Sequence, residues 1–166
     1  EAIVYGAMTS LITLPGGSQL HGLHSADALA RETEFVFAAG RGFVKGVIDA
    51  LFRVGPRFFV LDWKSDHLPA WYVASLERHV ERNYALQAEL YVLATLKHLG
   101  IDSKSDYERR FGGVVYAFVR AMSGSAAAAP DGSSVPSREG TKGLHVARPT
   151  YEEVLAWEVS LRARRE

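Results

Sequence analysis

Two carboxylates and one ammonium carry the chemistry that this sequence offers. In "FFVLDWKSD" (Phe58 to Asp66) a run of apolar residues leads straight into Asp62, Trp63 and Lys64. A strand heading into a core thus ends in charge, and each charge is costly to desolvate unless something pairs with it. The preceding segment, "FVKGVIDALFRV" (Phe43 to Val54), carries Asp49. Gly55-Pro56 turns the chain between them, so Val54 falls opposite Arg57 and, counting back, Asp49 falls opposite Asp62. Side chains directly across an antiparallel pair have Cβ atoms about 4.5–5.5 Å apart, and like charges placed there repel. Lys64, two residues beyond Asp62, projects from the same face and relieves only part of that repulsion. A divalent cation would reverse the balance. Mg²⁺ takes one or two carboxylates, with waters and substrate phosphate oxygens completing its shell. Such an ion polarises a phosphoryl oxygen and activates a bound water, the requirements of phosphodiester hydrolysis. Lys64 would then position or deprotonate that water, or steady the pentavalent phosphate. An isolated D-x-K on a strand is more often a surface ion pair. The opposed Asp49 is what favours a site.

The elements that must hold these residues are legible in outline. "RETEFVFA" (Arg31 to Ala38) alternates as a strand, and Phe43 to Val54 and Arg57 to Ser65 follow as two more around turns at Gly40 to Gly42 and Gly55-Pro56. From about Trp71 to Leu99 the spacing of Leu76, Val80, Tyr84, Gln87 and Tyr91 is helical, and Gly100 stops the run. "FGGVVYAFVRAM" (Phe111 to Met122) reads as a fourth strand, apolar on both faces and therefore central. Ser123 to Gly143 is a Ser-, Ala- and Gly-rich insertion without a core of its own. A closing helix starts at a T-x-x-E capping box, Thr150 and Glu153, with Val154, Trp157 and Leu161 as its apolar stripe. Residues 1 to 31 are mixed and show no clear period. The order is β-β-β-α-β-α, an α/β chain, without internal repeats.

Composition narrows the possibilities. At 166 residues, 48% apolar and 23% charged, the chain reads as one soluble globular domain. It lacks cysteine, which excludes disulfides, thiolate zinc sites and iron–sulfur ligation. Lysine plus arginine equals aspartate plus glutamate at 19 each, against a free-standing, non-specific nucleic-acid binder but not against a catalytic module whose substrate is delivered to it. No apolar run reaches membrane-span length and no membrane association is expected, while the missing cysteines make a cytoplasmic setting the expectation. The first residue is Glu1 rather than methionine, so the chain is expected to be a piece of something longer.

The blocks "GFVKGVIDALFR", "FFVLDWKSD", "YALQAELYVLATLKHLG" and "FGGVVYAFVR", in that order, resemble the C-terminal nuclease domain of the RecB family, the beta subunits of bacterial exodeoxyribonuclease V. The similarity runs from about Arg31 to Arg120 and more weakly through "GLHVARPTYEEV". The resemblance implies a PD-(D/E)xK nuclease with a restriction-endonuclease-like mixed sheet flanked by helices. It implies Asp49 and Asp62 as metal-binding carboxylates, the backbone carbonyl of Trp63 as a further ligand, and Lys64 as the catalytic lysine. Tyr84, Gln87 and Tyr91 match the Q-x-x-x-Y helix that borders such sites, and they share one helix face. Mg²⁺, with Mn²⁺ able to substitute, is the implied cofactor. DNA ends or single strands, helicase domains of the same longer chain and the other subunits of a RecBCD-like complex are the implied partners. The activity implied is metal-dependent DNA hydrolysis in double-strand-break repair and recombination. Members that carry an iron–sulfur cluster are excluded by the missing cysteines.

The family's histidine ligand comes from a helix before the first strand. His21 and His24 lie in a segment that does not look like that helix, which is expected to fall outside this piece and could leave it inactive alone. His67 reads as a solvated loop residue. Glu34 is a candidate supporting carboxylate or an outward strand position. Arg53, Arg57, Arg78 and Arg82 are candidate phosphate contacts or ordinary surface charges, and Trp63 reads as core. The alternative from another class is a catalytically silent nuclease-like scaffold for protein or DNA contacts. A scaffold, however, has no need to sustain the Asp49–Asp62 repulsion.

Overall fold

The computed structural model describes residues 11–15, 17–122 and 143–163. The insertion expected at 123–143 lies outside these, apart from Gly143. Five strands make one mixed sheet in chain order: β3 (Ala28–Ala39), β4 (Gly42–Val54), β5 (Arg57–Lys64), β6 (Phe111–Phe118) and β7 (Leu144–Ala147). Only β5 and β6 run parallel. A parallel pair needs a crossover, since a tight hairpin cannot join two strands that point the same way. Helix α1 (Val73–Leu99) supplies most of it, followed by the short α2 (Lys104–Arg110). The result is the α/β arrangement that the order of elements led one to expect, and its mixed sheet flanked by helices is consistent with the restriction-endonuclease-like fold that the resemblance implies.

Two apolar clusters sandwich the sheet. On one face Val60, Tyr116 and Phe118 pack against Leu76, Val80, Leu93 and Leu96 of α1, with Val154 of the last helix, α4 (Tyr151–Ala163). On the other face Phe52, Phe59, Leu61 and Val115 are covered by Ile12, Leu14, Leu20 and Leu23. Those residues come from a small antiparallel pair, β1 (Leu11–Thr13) and β2 (Gln19–His21), and the 3-10 turn after it. β6 is buried along its whole length between β5 and β7, as its unbroken apolar run requires.

Several boundaries differ from the sequence reading, and each has a local reason. The strand expected to reach Met122 stops at Phe118, and Val119–Met122 forms a helical turn, α3. An apolar run buried on both faces carries no periodicity that marks where extension ends. β1, β2, α2 and β7 are too short to show a period, and they were missed. The long helix ends where expected: Gly100 takes the left-handed conformation, φ 60 and ψ 39, and its N–H caps the carbonyls of Leu96 and Lys97. The capping box also forms. Glu153 accepts the Thr150 backbone N–H at 2.7 Å and donates its own to Thr150 Oγ1 at 3.2 Å.

One irregularity matters for the site. On β4, Ile48 and Leu51 belong to the α1 face while Ala50 and Phe52 belong to the other. Strict alternation would put Ile48 and Ala50 on the same side, so the pleat changes sense at Asp49. Opposite it on β3, Glu32 has φ 50, a left-handed conformation that a residue with a Cβ rarely adopts. The ladder pairs Arg31 with Ala50 and Thr33 with Ile48 and skips the pair between them. Phe35 and Phe37 then pack toward α1, whereas Leu29 packs on the other side.

Candidate active site

The hairpin register is the one counted from Gly55-Pro56, with Val54 opposite Arg57 and the ladder continuing to Ala50 opposite Leu61. It ends there, one pair short of Asp49 and Asp62. β5 keeps its pairing to β6 as far as Lys64 opposite Phe118. The two strands of the hairpin therefore part where the carboxylates lie. Asp49 turns into the gap, and its Oδ2 accepts the backbone N–H of Trp63 at 2.8 Å. The pair expected to face each other across a closed ladder is instead held across an open one.

Even-numbered positions of β5 face α1: Phe58 and Val60 pack into the cluster beneath that helix. Asp62 and Lys64 continue the same row and are 3% and 8% exposed, so the apolar face ends in a buried ion pair between Lys64 Nζ and Asp62 Oδ2. Asp62 Oδ2 is held by this ammonium and has no other partner among the described residues. α1 supplies the rest. Gln87 Oε1 accepts from Lys64 Nζ at 2.8 Å, while Gln87 Nε2 donates to Asp62 Oδ1 at 3.2 Å and to the Tyr91 hydroxyl oxygen at 2.9 Å. The single Tyr91 proton is within reach of Val47 O on β4, at 2.9 Å, and of Asp62 Oδ1, at 3.2 Å. One amide thus clamps both members of the ion pair, and one phenol ties that clamp to the strand carrying Asp49. Burial pushes the Asp62 carboxyl above the ordinary carboxylate range, opposed by the hydrogen bond and charge of Lys64 and reinforced by the Asp49 charge. Burial likewise pushes the Tyr91 phenol well up, with Asp62 adding to it.

The structure brings Asp49, Asp62, Lys64, Gln87 and Tyr91 together. It puts Tyr84 beside them, one helical turn before Gln87, with the Lys64 ammonium 3.9 Å from its ring centroid. Trp63 is half-buried and packs against the cluster on the far face, as expected of core. Other candidates lie elsewhere. Glu34 is exposed and pairs with Lys45 at 3.5 Å, not with the site. His21, His24 and His67 are exposed. Arg53 caps Gly55 O at 2.8 Å beside Asp27, and Arg78 and Arg82 are exposed on α1. Two residues were missed. Asp66 accepts the Tyr84 hydroxyl at 2.8 and 2.9 Å on its two oxygens, and His79 Nε2 lies 3.2 Å from it. Little in the sequence marks them: His79 lies on the helix that carries Tyr84, Gln87 and Tyr91, yet nothing in the spacing ties it to the loop holding Asp66.

Whether these residues suit a hard cation can be judged from the donor set. Among the described residues no group of three His, Asp or Glu side chains gathers into a closed metal cage. Two carboxylates at an opened strand end, with no further described His, Asp or Glu gathered around them, fit the open Mg²⁺ type of site that leaves most positions to water and substrate.

The chain matches no family profile. Curated relatives are subunit RecB of the RecBCD enzyme in several bacteria. That of Borreliella burgdorferi is 31% identical over 86 residues, covering 49% of this chain and 7% of the relative. That of Escherichia coli is 38% identical over 97 residues, 52% of this chain and 8% of the relative. That of Mycolicibacterium smegmatis is 35% identical over 103 residues, 55% of this chain and 10% of the relative. The chain thus spans about a tenth or less of the length of the curated relatives it matches. Over about half of its own length, this chain is related to RecB.

Proposed function

We propose that this chain is the nuclease domain of a RecB-like helicase–nuclease, hydrolysing phosphodiester bonds of DNA ends or single strands in double-strand-break repair and recombination. The observation that carries the reading is the buried Lys64–Asp62 pair, clamped by Gln87 at the point where β4 and β5 part around Asp49. A fold seldom buries an ion pair beside a further carboxylate for stability alone, because desolvation offsets most of the attraction.

Asp49, Asp62 and the Trp63 backbone carbonyl would hold Mg²⁺, or Mn²⁺ in its place. The bound ion would supply Lewis acidity toward a phosphoryl oxygen and an activated water. The chain's own groups do the positioning. Gln87 and Tyr91 fix the Asp62 carboxylate, the Trp63 N–H fixes that of Asp49, and Lys64 holds positive charge where a phosphate would gain negative charge in the transition state. The remaining proposals follow from kinship with RecB. Unwinding would come from helicase domains of the same longer chain, the other RecBCD-like subunits would be its partners, and the bacterial cytoplasm its setting. No helix of the described residues is long and apolar enough to cross a membrane.

A titration with Mn²⁺ followed by electron paramagnetic resonance tests the metal part directly. The proposal expects a site that Asp49→Asn and Asp62→Asn each weaken. A chain that binds no divalent cation under any condition would remove the metal-dependent reading and leave the silent scaffold.

A further inference from the structure

Lys64 is held by more than the ion pair. Its ammonium lies over the Tyr84 ring, 3.9 Å from the centroid, and 5.5 Å from the centroid of the Tyr116 ring. The two rings stack at 5.7 Å with an interplanar angle of 22°, so Tyr116 backs Tyr84 from β6. The free end of Tyr84 is fixed too. Its hydroxyl donates to Asp66, close to both oxygens, and His79 holds the same carboxylate from one turn earlier on α1. The His79 ring in turn packs edge-on against Tyr84 and Phe118 at 5.8 Å. Each freedom of the tyrosine is therefore taken: the ring plane by stacking and the hydroxyl by a charged acceptor.

We propose that Asp66 and Tyr84 are positioning residues for Lys64: the carboxylate anchors the phenol, and the anchored ring fixes the height and direction of the ammonium. The proposal rests on the nuclease reading for its functional meaning, but its geometry does not. A face-on aromatic ring attracts a cation through its quadrupole, and a carboxylate accepting the phenolic hydrogen bond enriches the ring that the cation sees. Without the ring, Lys64 would retain Asp62 and the Gln87 carbonyl on one side and have only the more distant Tyr116 ring beneath it. A long flexible side chain of this kind regains several rotamers once a supporting contact is lost. The groups that face the ring are thus the ones that decide where the charge sits when substrate arrives. The competing account is that Asp66–Tyr84 only ties the loop after β5 to α1.

The test compares Tyr84→Phe, Tyr84→Leu and Asp66→Ala in the whole 166-residue chain. It uses two readouts: the Lys64 ε-methylene proton shifts by NMR, and metal-dependent cleavage of linear single-stranded DNA. The expected result is an upfield ring-current shift of the Lys64 protons in the parent chain. Tyr84→Leu should remove most of it, leaving the smaller contribution of Tyr116, and Tyr84→Phe and Asp66→Ala should each reduce it. In cleavage, Tyr84→Leu lowers kcat on the order of 10–100-fold with KM within about twofold, the signature of a misplaced group rather than lost substrate binding. Tyr84→Phe, which keeps the ring, recovers part of that loss. The proposal is overturned if Lys64 shifts are unmoved in Asp66→Ala and Tyr84→Phe, or if Tyr84→Phe and Tyr84→Leu lower kcat equally. If the parent chain shows the shift pattern but neither cleaves DNA nor binds Mn²⁺, the positioning geometry stands and the nuclease reading falls.

Discussion

The Asp49 carboxylate accepts the Trp63 backbone N–H at 2.8 Å, taking a donor that a ladder continued in the hairpin's own register would give to Ile48. This single bond marks where the hairpin ladder gives way to the candidate site. Up to Ala50 and Leu61 the two strands satisfy each other, and beyond that point side chains from α1 and β4 take over.

The buried ion pair predicts strong coupling in stability. Removing one partner leaves a charge without compensation in a buried setting, a loss of about 3–5 kcal/mol. Lys64→Met and Asp62→Leu should each lower the denaturant midpoint by that order, and the double variant should lose far less than the sum. Simple additivity of the two losses would contradict the pairing.

Gln87→Leu removes an acceptor from Lys64 and donors from both Asp62 and Tyr91 while preserving volume. It leaves buried polar groups unsatisfied, at about 1–3 kcal/mol for each. Thermal unfolding should therefore report a clear loss at a position where a surface glutamine would report almost none.

The Asp66–Tyr84 bond predicts a pH signature. The Asp66 carboxyl lies below its ordinary range of 3.8, because hydrogen bonds from Tyr84 and His79 outweigh the burial that opposes them. A depressed carboxylate adds stability above its unfolded pKa, and that contribution is lost as pH falls through the folded value. The Tyr84 phenol is pushed up from 10.0 to about 12, by burial first and by Asp66 second. Here the unfolded chain releases its proton first, so stability is full below about 10 and declines as pH rises toward about 12. Asp66→Ala should consequently flatten the acid limb of the melting curve and lessen the alkaline one. A variant whose profile parallels the parent at both ends would contradict the assignment.

Gly112 offers a control remote from the carboxylates. A Cβ there would overlap the Phe59 ring, which is itself stacked on Phe52 at 5.3 Å. Overpacking a tight core costs about 1–3 kcal/mol, so Gly112→Ala should lower the melting temperature. The effect on Mn²⁺ affinity at a temperature where the chain is folded should be slight.

The legible parts of this fold were those governed by local rules. The Gly55-Pro56 turn sets the hairpin register, and register alone brings Asp49 near Asp62. Helical spacing puts Gln87 and Tyr91 on one face, and the parallel β5–β6 pair requires the crossover that lays that face over the strand end. What stayed hidden depends on contacts between distant segments. The parting of β4 from β5 follows from the change of pleat at Glu32 and Asp49, which composition does not announce. Asp66 reads as an ordinary loop carboxylate until the fold sets it against Tyr84, and Glu34 reads as a candidate until it is found paired with Lys45.

The most direct test is cleavage of end-labelled linear single-stranded DNA with Mg²⁺ or Mn²⁺ by the parent chain and by Asp62→Asn and Lys64→Ala variants, with a chelator control. The account predicts metal-dependent cutting that either substitution abolishes in protein still folded by circular dichroism. Cutting that persists in folded Asp62→Asn, or a folded parent chain that neither cuts nor binds Mn²⁺, would contradict it.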